Sequence, residues 1–383
     1  MKKIILIICT LFLCSGCWNY KELSELGIIT AMGISKEDDK YYLDIQLINI
    51  IDTEKSSLEE SPITVISAEG KTIFEAARSM NKQTSKILFL ADVDYVFLDK
   101  SIITDEADEI MDFLIRDTRL SLNFLIVTSE NSTSKDILSS ISHFNTNSAK
   151  NVYDLINNSE TRFGGIKALH IRDFINSKLS KGKEVIYPNI EVTNKESSNN
   201  DSLKESISDG FVKVKDMVFY NKNKEIVHLN DEVTKGYNFL NNNIKNATIS
   251  VPCDGGNFSI ETLESKIKMK DKLKDNKLLI NGEIGAEIVY YGCKENLDDT
   301  KELKKISNLA EKEVEKYINE ALKLAKENEY DFLNIGNYIY KNNKKYFDFD
   351  KKNWNESGLK KINFDYTIDV SLYKQGNLRG DLW

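Results

Sequence analysis

Apolar and polar positions divide the chain into a short greasy leader, a first half in which strand-like and helix-like stretches alternate, and a second half dominated by short strands. Gly27 to Ile34 reads as a strand. Tyr41, Leu43, Ile45 and Leu47 then alternate with Tyr42, Asp44 and Gln46, the period-two pattern of a half-buried strand. A polar patch from Asp52 to Ser61 is a loop, and Pro62 to Ala68 a further strand. Thr72 opens a helix with Glu75 three residues on, as in a capping box, and Ile73, Phe74, Ala76, Ala77 and Met80 form its apolar side. Ile87 to Leu98 reads as one strand interrupted by Ala91-Asp92. Thr104 to Ile115 is an amphipathic helix closed by Arg116-Asp117-Thr118-Arg119, and Leu122 to Thr128 a strand. Strand, helix, strand, helix, strand predicts a mixed sheet covered by helices.

Helical signals run from Ser134 to Leu179, broken at Gly164-Gly165, and Val185 to Val192 is extended. The polar run Asn194 to Asp201 has nothing to bury and marks a linker, placing the boundary at 196–202. Beyond it, strands are expected at Ser206 to Val214, Asp216 to Tyr220, Glu225 to Val227, Ala247 to Val251, Phe258 to Lys270 and Lys277 to Tyr291. Leu303, Ile306, Ala310, Val314, Tyr317, Ala321 and Leu324 recur at three- and four-residue spacing, so Thr300 to Glu327 is the longest helix. A second helix is expected over Asp331 to Tyr340, and Ile362 to Tyr373 alternates as a returning strand. The pattern predicts an α+β chain of two to three domains, each a mixed or antiparallel sheet flanked by helices. Residues 17–195 form the first part and 203–383 the second.

The leader changes the picture most. Lys2 and Lys3 precede an apolar run from Ile4 to Leu13, followed by Cys14-Ser15-Gly16-Cys17. A basic start, a short apolar core and small residues before a cut describe a signal peptide over residues 1–16. The run is shorter than the roughly 20 residues a bilayer-crossing helix needs. A cysteine at the cut is what lipoprotein signals carry, with its thiol taking a diacylglyceryl group, so Cys17 is the expected lipid attachment site. Cys14 stands where leucine is usual, and an ordinary secretory signal with a chance cysteine is the plainer alternative. Trp18, Tyr20, Glu22 and Leu23 lie just past that point. They read either as a segment that docks on partner subunits or headgroups, where aromatic rings suit an interface, or as a spacer.

Composition narrows the function. With 41% hydrophobic and 29% charged residues, the 383-residue chain has ample core for a folded body. Loss of Lys2 and Lys3 takes the formal net charge from −8 to −10. An acidic body argues against nucleic acid as a partner and against purely electrostatic membrane attachment. Of five cysteines, Cys253 and Cys293 remain beside Cys17 once the leader is removed, as a disulfide or as two buried thiols. His143, His170 and His228 are too scattered to suggest a metal site. Asp231-Glu232 is a carboxylate pair, but adjacent side chains diverge and no His or Lys is placed to tune them, so an acidic first helical turn capped by Asn230 is the simpler reading. Arg116, Asp117 and Arg119 read as a helix C-terminus or a charged contact surface. Neither Gly164-Gly165 nor Gly255-Gly256 has phosphate-loop spacing. No catalytic constellation, metal site or cofactor site emerges.

Several ordered motifs resemble the Ger(x)C lipoproteins, the C subunits of nutrient germinant receptors in spore-forming bacteria. They are Cys17-Trp18, Glu22-Leu23 and Gly27 to Gly33; Gly70 to Ala76; Phe113 to Asp117 with Arg119; Tyr187 to Ile190; Gly210-Phe211; Leu229 to Gly236; and the final helix pair with Trp354 and the closing strand. Ala91-Asp92 departs from relatives that carry a histidine there. The resemblance implies a non-enzymatic subunit with an A and a B subunit as partners, held by its lipid on the outer surface of the spore inner membrane, with no small-molecule ligand firmly implied. The rival readings are a lipid-tethered solute-binding protein, which needs two similar lobes around a cleft, and a tethered cell-wall hydrolase, for which an acid/base pair is lacking.

Overall fold

The computed structural model describes residues 22–49, 61–141, 147–193, 211–294, 299–347 and 350–374. Its strands form three sheets. The first contains β1 (Leu26–Glu37), β2 (Lys40–Ile48), β3 (Ile63–Gly70), β4 (Ile87–Phe89), β5 (Tyr95–Leu98) and β6 (Leu125–Val127). Its order is β3-β2-β1-β5-β6, with β4 also on β1. β2 is antiparallel to β1 and β3, whereas β4 and β5 run parallel to β1 and β6 parallel to β5, so the sheet is mixed as the alternation implied.

The stretch 87–98 is two strands rather than one. Ile87 to Phe89 pair with Leu26 to Ile28, while Tyr95 to Leu98 pair with Ala31 to Ile34 further along the same long strand. Between them the Asp94 N–H donates to the Thr30 carbonyl at 2.8 Å. One sequence run therefore serves β1 twice, which an apolar pattern alone does not distinguish from a single strand.

Helices cover both faces of this sheet. α1 (Ile73–Ser79) and α2 (Ala107–Arg116) bury Ile73, Ala76, Ile110 and Leu114 against Val96, Leu98 and Ile126. α3 (Ser134–Ser139) and α4 (Ser148–Arg162) cover the opposite face, where Tyr95, Phe97, Leu125 and Val127 point. This is the period-two alternation of a strand buried on both sides. The Thr72 hydroxyl caps α1 by accepting from the Glu75 N–H at 3.1 Å, but the Glu75 carboxylate reaches the Lys71 N–H rather than closing the box on Thr72. Phe74, expected on the apolar side of α1, is instead 54% exposed. It lies a helical step away from the Ile73-Ala76-Met80 stripe.

The second sheet joins the two halves. β7 (Tyr187–Val192), β8 (Val212–Tyr220) and β9 (Ile226–Leu229) are antiparallel neighbours in that order. The expected linker at 196–202 lies outside the described residues, and the strands on either side of it are hydrogen-bonded partners. The strands expected at 206–214 and 216–220 are, within the described residues, one strand with a bulge at Lys215. α5 (Ile171–Leu179) precedes β7.

The third sheet has order β10-β11-β12-β13, from β10 (Thr248–Cys253), β11 (Gly256–Lys272), β12 (Lys277–Tyr291) and β13 (Asn363–Lys374). β11 and β12 form a long antiparallel hairpin, and β13 returns parallel to β12. The crossover between them includes α7 (Thr300–Glu327) and α8 (Ile335–Asn342), and α6 (Asp231–Leu240) packs beside α7. The α7 stripe Ile306, Ala310, Val314, Tyr317 and Ala321 is buried as the spacing required. A single hydrophobic core continues from Ala31 and Phe97 through Phe219 to Val370, so both halves share an interior.

Candidate functional site

Of the residues singled out near the leader, Cys17, Trp18 and Tyr20 lie outside the described residues. Glu22 and Leu23 are described. Leu23–Glu25 forms one tight helical turn entering β1, closed by the Glu25 N–H donating to the Glu22 carbonyl at 3.0 Å. The Lys86 ammonium donates to the Ser24 carbonyl, tying this turn to the start of β4. The Leu23 side chain is 58% exposed and takes no part in the core.

A cleft opens beside this turn. Ile29, Met32, Leu43 and Ile45 form its floor, and Phe74, Arg78, Ile87, Leu88, Phe113 and Arg119 its walls, enclosing about 400 Å³. A neighbouring hollow between α1 and α2 shares Phe74, Arg78, Phe113 and Arg119. Arg116 and Arg119 do not form a shared centre. Arg116 Nε donates to Asp112 at 2.6 Å, one turn back on its own helix, and Arg119 forks onto both oxygens of Asp117 at 2.8 and 2.5 Å. That bond holds the Asp117 carboxyl below the usual carboxylate range despite partial burial. The three charges thus end α2 and fix its exit turn, and Arg78 stacks its guanidinium 4.9 Å from the Phe74 ring centre.

Asp231 and Glu232 separate as expected. Asn230 caps α6, accepting from the Val233 N–H at 2.9 Å. Glu232 faces outward to Lys316 at 3.2 Å, and burial pushes the Asp231 carboxyl up. One correction concerns Lys235, a turn further on, which does act on Asp231. Its ammonium donates to the Thr248 carbonyl at 2.7 Å and lies 4.3 Å from the Phe163 ring centre, and burial pulls its pKa down. Among the described residues no group of three or more His, Cys, Asp or Glu side chains is placed to hold a metal ion. Cys253 and Cys293, left open by the sequence, form a disulfide joining the end of β10 to the residue following β12 and Gly292.

Sequence reasoning missed the seam between the halves. Asp331 is completely buried, and its carboxylate accepts from the Ile335 N–H (3.2 Å), the Gly336 N–H (2.6 Å) and Trp354 Nε1–H (2.8 Å). It therefore caps α8 from four residues upstream, which is why the expected helix at 331–340 begins at Ile335. Burial pushes its pKa up to about 6, against those three donors. The Asp331 carbonyl accepts from the Glu184 N–H at 2.8 Å, and Asn355 bridges the Asp331 N–H to the Glu184 carboxylate. Lys351 completes this junction with an ion pair to Glu184 at 3.1 Å. Segment 182–185, just before β7, is thereby gripped by the last helices. Trp354 was visible as a motif residue, but its partner is distant in sequence.

The arrangement is one of contact surfaces and a stitched interior. Among the described residues no helix is long and apolar enough to cross a membrane. Comparison with known proteins gives this architecture its class: residues 19–192 match the spore germination protein N-terminal domain, and residues 216–376 match the spore germination B3/GerAC-like C-terminal domain. The chain belongs to the Ger(x)C family of spore germination proteins. It is 22% identical to spore germination protein KC of Bacillus subtilis (strain 168), over 97% of this chain and 95% of that protein. With spore germination protein A3 of the same organism it is 26% identical, over 72% of this chain and 70% of the relative. The crystal structure of the GerBC protein shares the fold, with a TM-score of 0.54 at 15% identity, covering 89% of this chain and 96% of that one.

Proposed function

We propose that this chain is a non-enzymatic C subunit of a nutrient germinant receptor, tethered by lipid on Cys17 to the outer surface of the spore inner membrane. Its folded body supports assembly of the receptor with the A and B subunits, or passage of the signal when a nutrient binds. The observation that carries this reading is the order of features along one chain. A lipoprotein-type leader ends at Cys17, and the two spore germination domains follow at 19–192 and 216–376. Two acyl chains suffice for stable anchoring, at about 0.8 kcal/mol for each buried methylene.

The solute-binding alternative loses ground on topology. Such proteins need two lobes of matching architecture, whereas the first sheet here is mixed with order β3-β2-β1-β5-β6 and the third is a long hairpin extended by a parallel edge strand. The test is nutrient-triggered release of dipicolinic acid from spores lacking this chain and any redundant receptor. Release that stops with nutrients yet persists with a receptor-independent trigger supports the proposal. Unchanged nutrient-triggered release would sink it and make ligand titration of the purified chain the next experiment.

A further inference from the structure

Leu23, Ile87, Phe89, Ile115 and Leu122 are five of the twelve large apolar side chains that are exposed among the described residues. Leu23, Ile87 and Phe89 gather at the start of β1, at one end of the first sheet, while Ile115 and Leu122 belong to the crossover that returns toward that end. Leu23 immediately precedes β1, and Ile87 and Phe89 sit opposite Leu26 and Ile28 at the start of that strand. β5 runs parallel to β1, so α2, which carries Ile115, returns along the sheet toward the same end. Leu122 lies in the turn that re-enters the sheet at β6, whose first residue pairs with the first residue of β5. Lys86, Ile87, Phe113 and Arg119 line one cleft, which confirms that the two crossovers end together.

This end is also where the chain leaves toward Cys17. Five peptide units separate Cys17 from Glu22, a span of at most roughly 18 Å when fully extended. The headgroup layer on each side of a bilayer is itself about 5–8 Å deep. A body of this size has a radius of gyration of about 21 Å, so such a short tether lets only the adjoining end meet the lipid. Lys86 precedes Ile87, and Arg78 and Arg119 line the cleft that Ile87 enters, so their carbon stems can lie along the apolar layer, while the exposed Glu22 and Glu25 flank Leu23 on the aqueous side.

We propose that the β1-start end of the first sheet is a membrane-contact surface, with Leu23, Ile87 and Phe89 seated in the phospholipid interface. This rests on the reading that Cys17 carries the lipid. Contact at this end fixes the orientation of the body and holds the far end of β1, at Glu37, away from the bilayer. The overall negative charge opposes approach to anionic lipid, and apolar insertion together with the acyl anchor must offset that repulsion.

The full chain, processed and lipidated in a bacterial membrane, is reconstituted into phosphatidylcholine/phosphatidylglycerol (3:1) vesicles with or without brominated acyl chains. Phe89→Trp and Ile87→Trp report on the contact end and Glu37→Trp on the far end of β1, each read as the difference from the unaltered chain to remove the signal of Trp18, Trp354 and Trp383. Flotation with vesicles reads the anchor, and quenching reads the surface. The expected result is flotation of every variant, with at least a twofold drop in the added fluorescence at residues 87 and 89 and none at 37. Flotation without quenching at 87 and 89 overturns the proposal and leaves this apolar end to a protein subunit. Failure to float removes the anchor, and the proposal falls with it.

Discussion

Replacing Trp354 with Phe isolates the bond at the centre of the seam. Trp354 is fully buried and donates Nε1–H to Asp331 at 2.8 Å. Phenylalanine keeps an aromatic ring and removes that donor. The smaller ring leaves a void of roughly 40 Å³, costing about 1 kcal/mol at ~24 cal/mol per Å³, with about 1 kcal/mol more for the lost apolar transfer. The hydrogen bond adds about 1 kcal/mol when its acceptor is neutral and about 2–3 kcal/mol when it is charged. Which value applies depends on pH, because burial pushes Asp331 up to about 6 from an unfolded-state value near 3.9.

A carboxyl whose folded-state pKa is raised contributes stability that is fully present below the unfolded value and is lost as pH rises through about 6. The unaltered protein should therefore lose about 2 kcal/mol from this group between pH 4 and pH 7. W354F removes a donor to the charged form and pushes the carboxyl higher still, so its penalty grows with pH. We expect about 3 kcal/mol at pH 4.5 and about 4–5 kcal/mol at pH 7.5. Urea unfolding followed by far-ultraviolet circular dichroism at the two pH values, on the Cys17→Ala chain, measures both. Equal penalties, or a larger one at pH 4.5, would refute the claim that Trp354 stabilises an ionised Asp331.

Asp331→Asn should flatten the pH dependence of stability between pH 4 and 7 while keeping an acceptor oxygen for Gly336 and Trp354, read from urea midpoints across that range. At Gly236 a methyl group would overlap the Tyr317 carbonyl where α6 meets α7, so Gly236→Ala should cost about 1–3 kcal/mol and lower the melting temperature, and an unchanged melt would mean the helices separate freely. Cys253 and Cys293 close a loop with a sequence separation of 40, so the double serine variant should lose up to about 4 kcal/mol, seen as a dithiothreitol-sensitive midpoint in the unaltered chain alone. Cys17→Ala should move the mature chain from the membrane to the soluble fraction on centrifugation, and retention without lipid would defeat the anchoring proposal.

Local pattern carried much of the architecture. Residues 300–327 form a helix because apolar side chains recur on one face under an Asp299 cap, and the β11–β12 hairpin follows from alternation on both sides of a turn where Asn276 adopts a left-handed backbone. Likewise, Asn230 before Asp231-Glu232 is sufficient to start α6. Where position in space decides the outcome, pattern stopped short. Phe74 fits a helical apolar face and yet lies open in a cleft, because α1 spans only seven residues and its stripe is filled by Ile73, Ala76 and Met80.

What the sequence determined by itself is what short-range physics controls: the identity of most strands and helices, the helix caps, and a set of motifs specific enough to point to one family. Tertiary structure alone decided which strands share a sheet, that 87–98 meets β1 in two places, and that β7 and β8 pair across the expected boundary. It also decided that Cys253 meets Cys293, that Asp331 meets Trp354, and that exposed Ile87 and Phe89 lie beside Leu23 at the start of β1. Each of these joins residues far apart in the chain. Local propensity assigns no energy to such encounters, which acquire it only when the shared core brings the segments together.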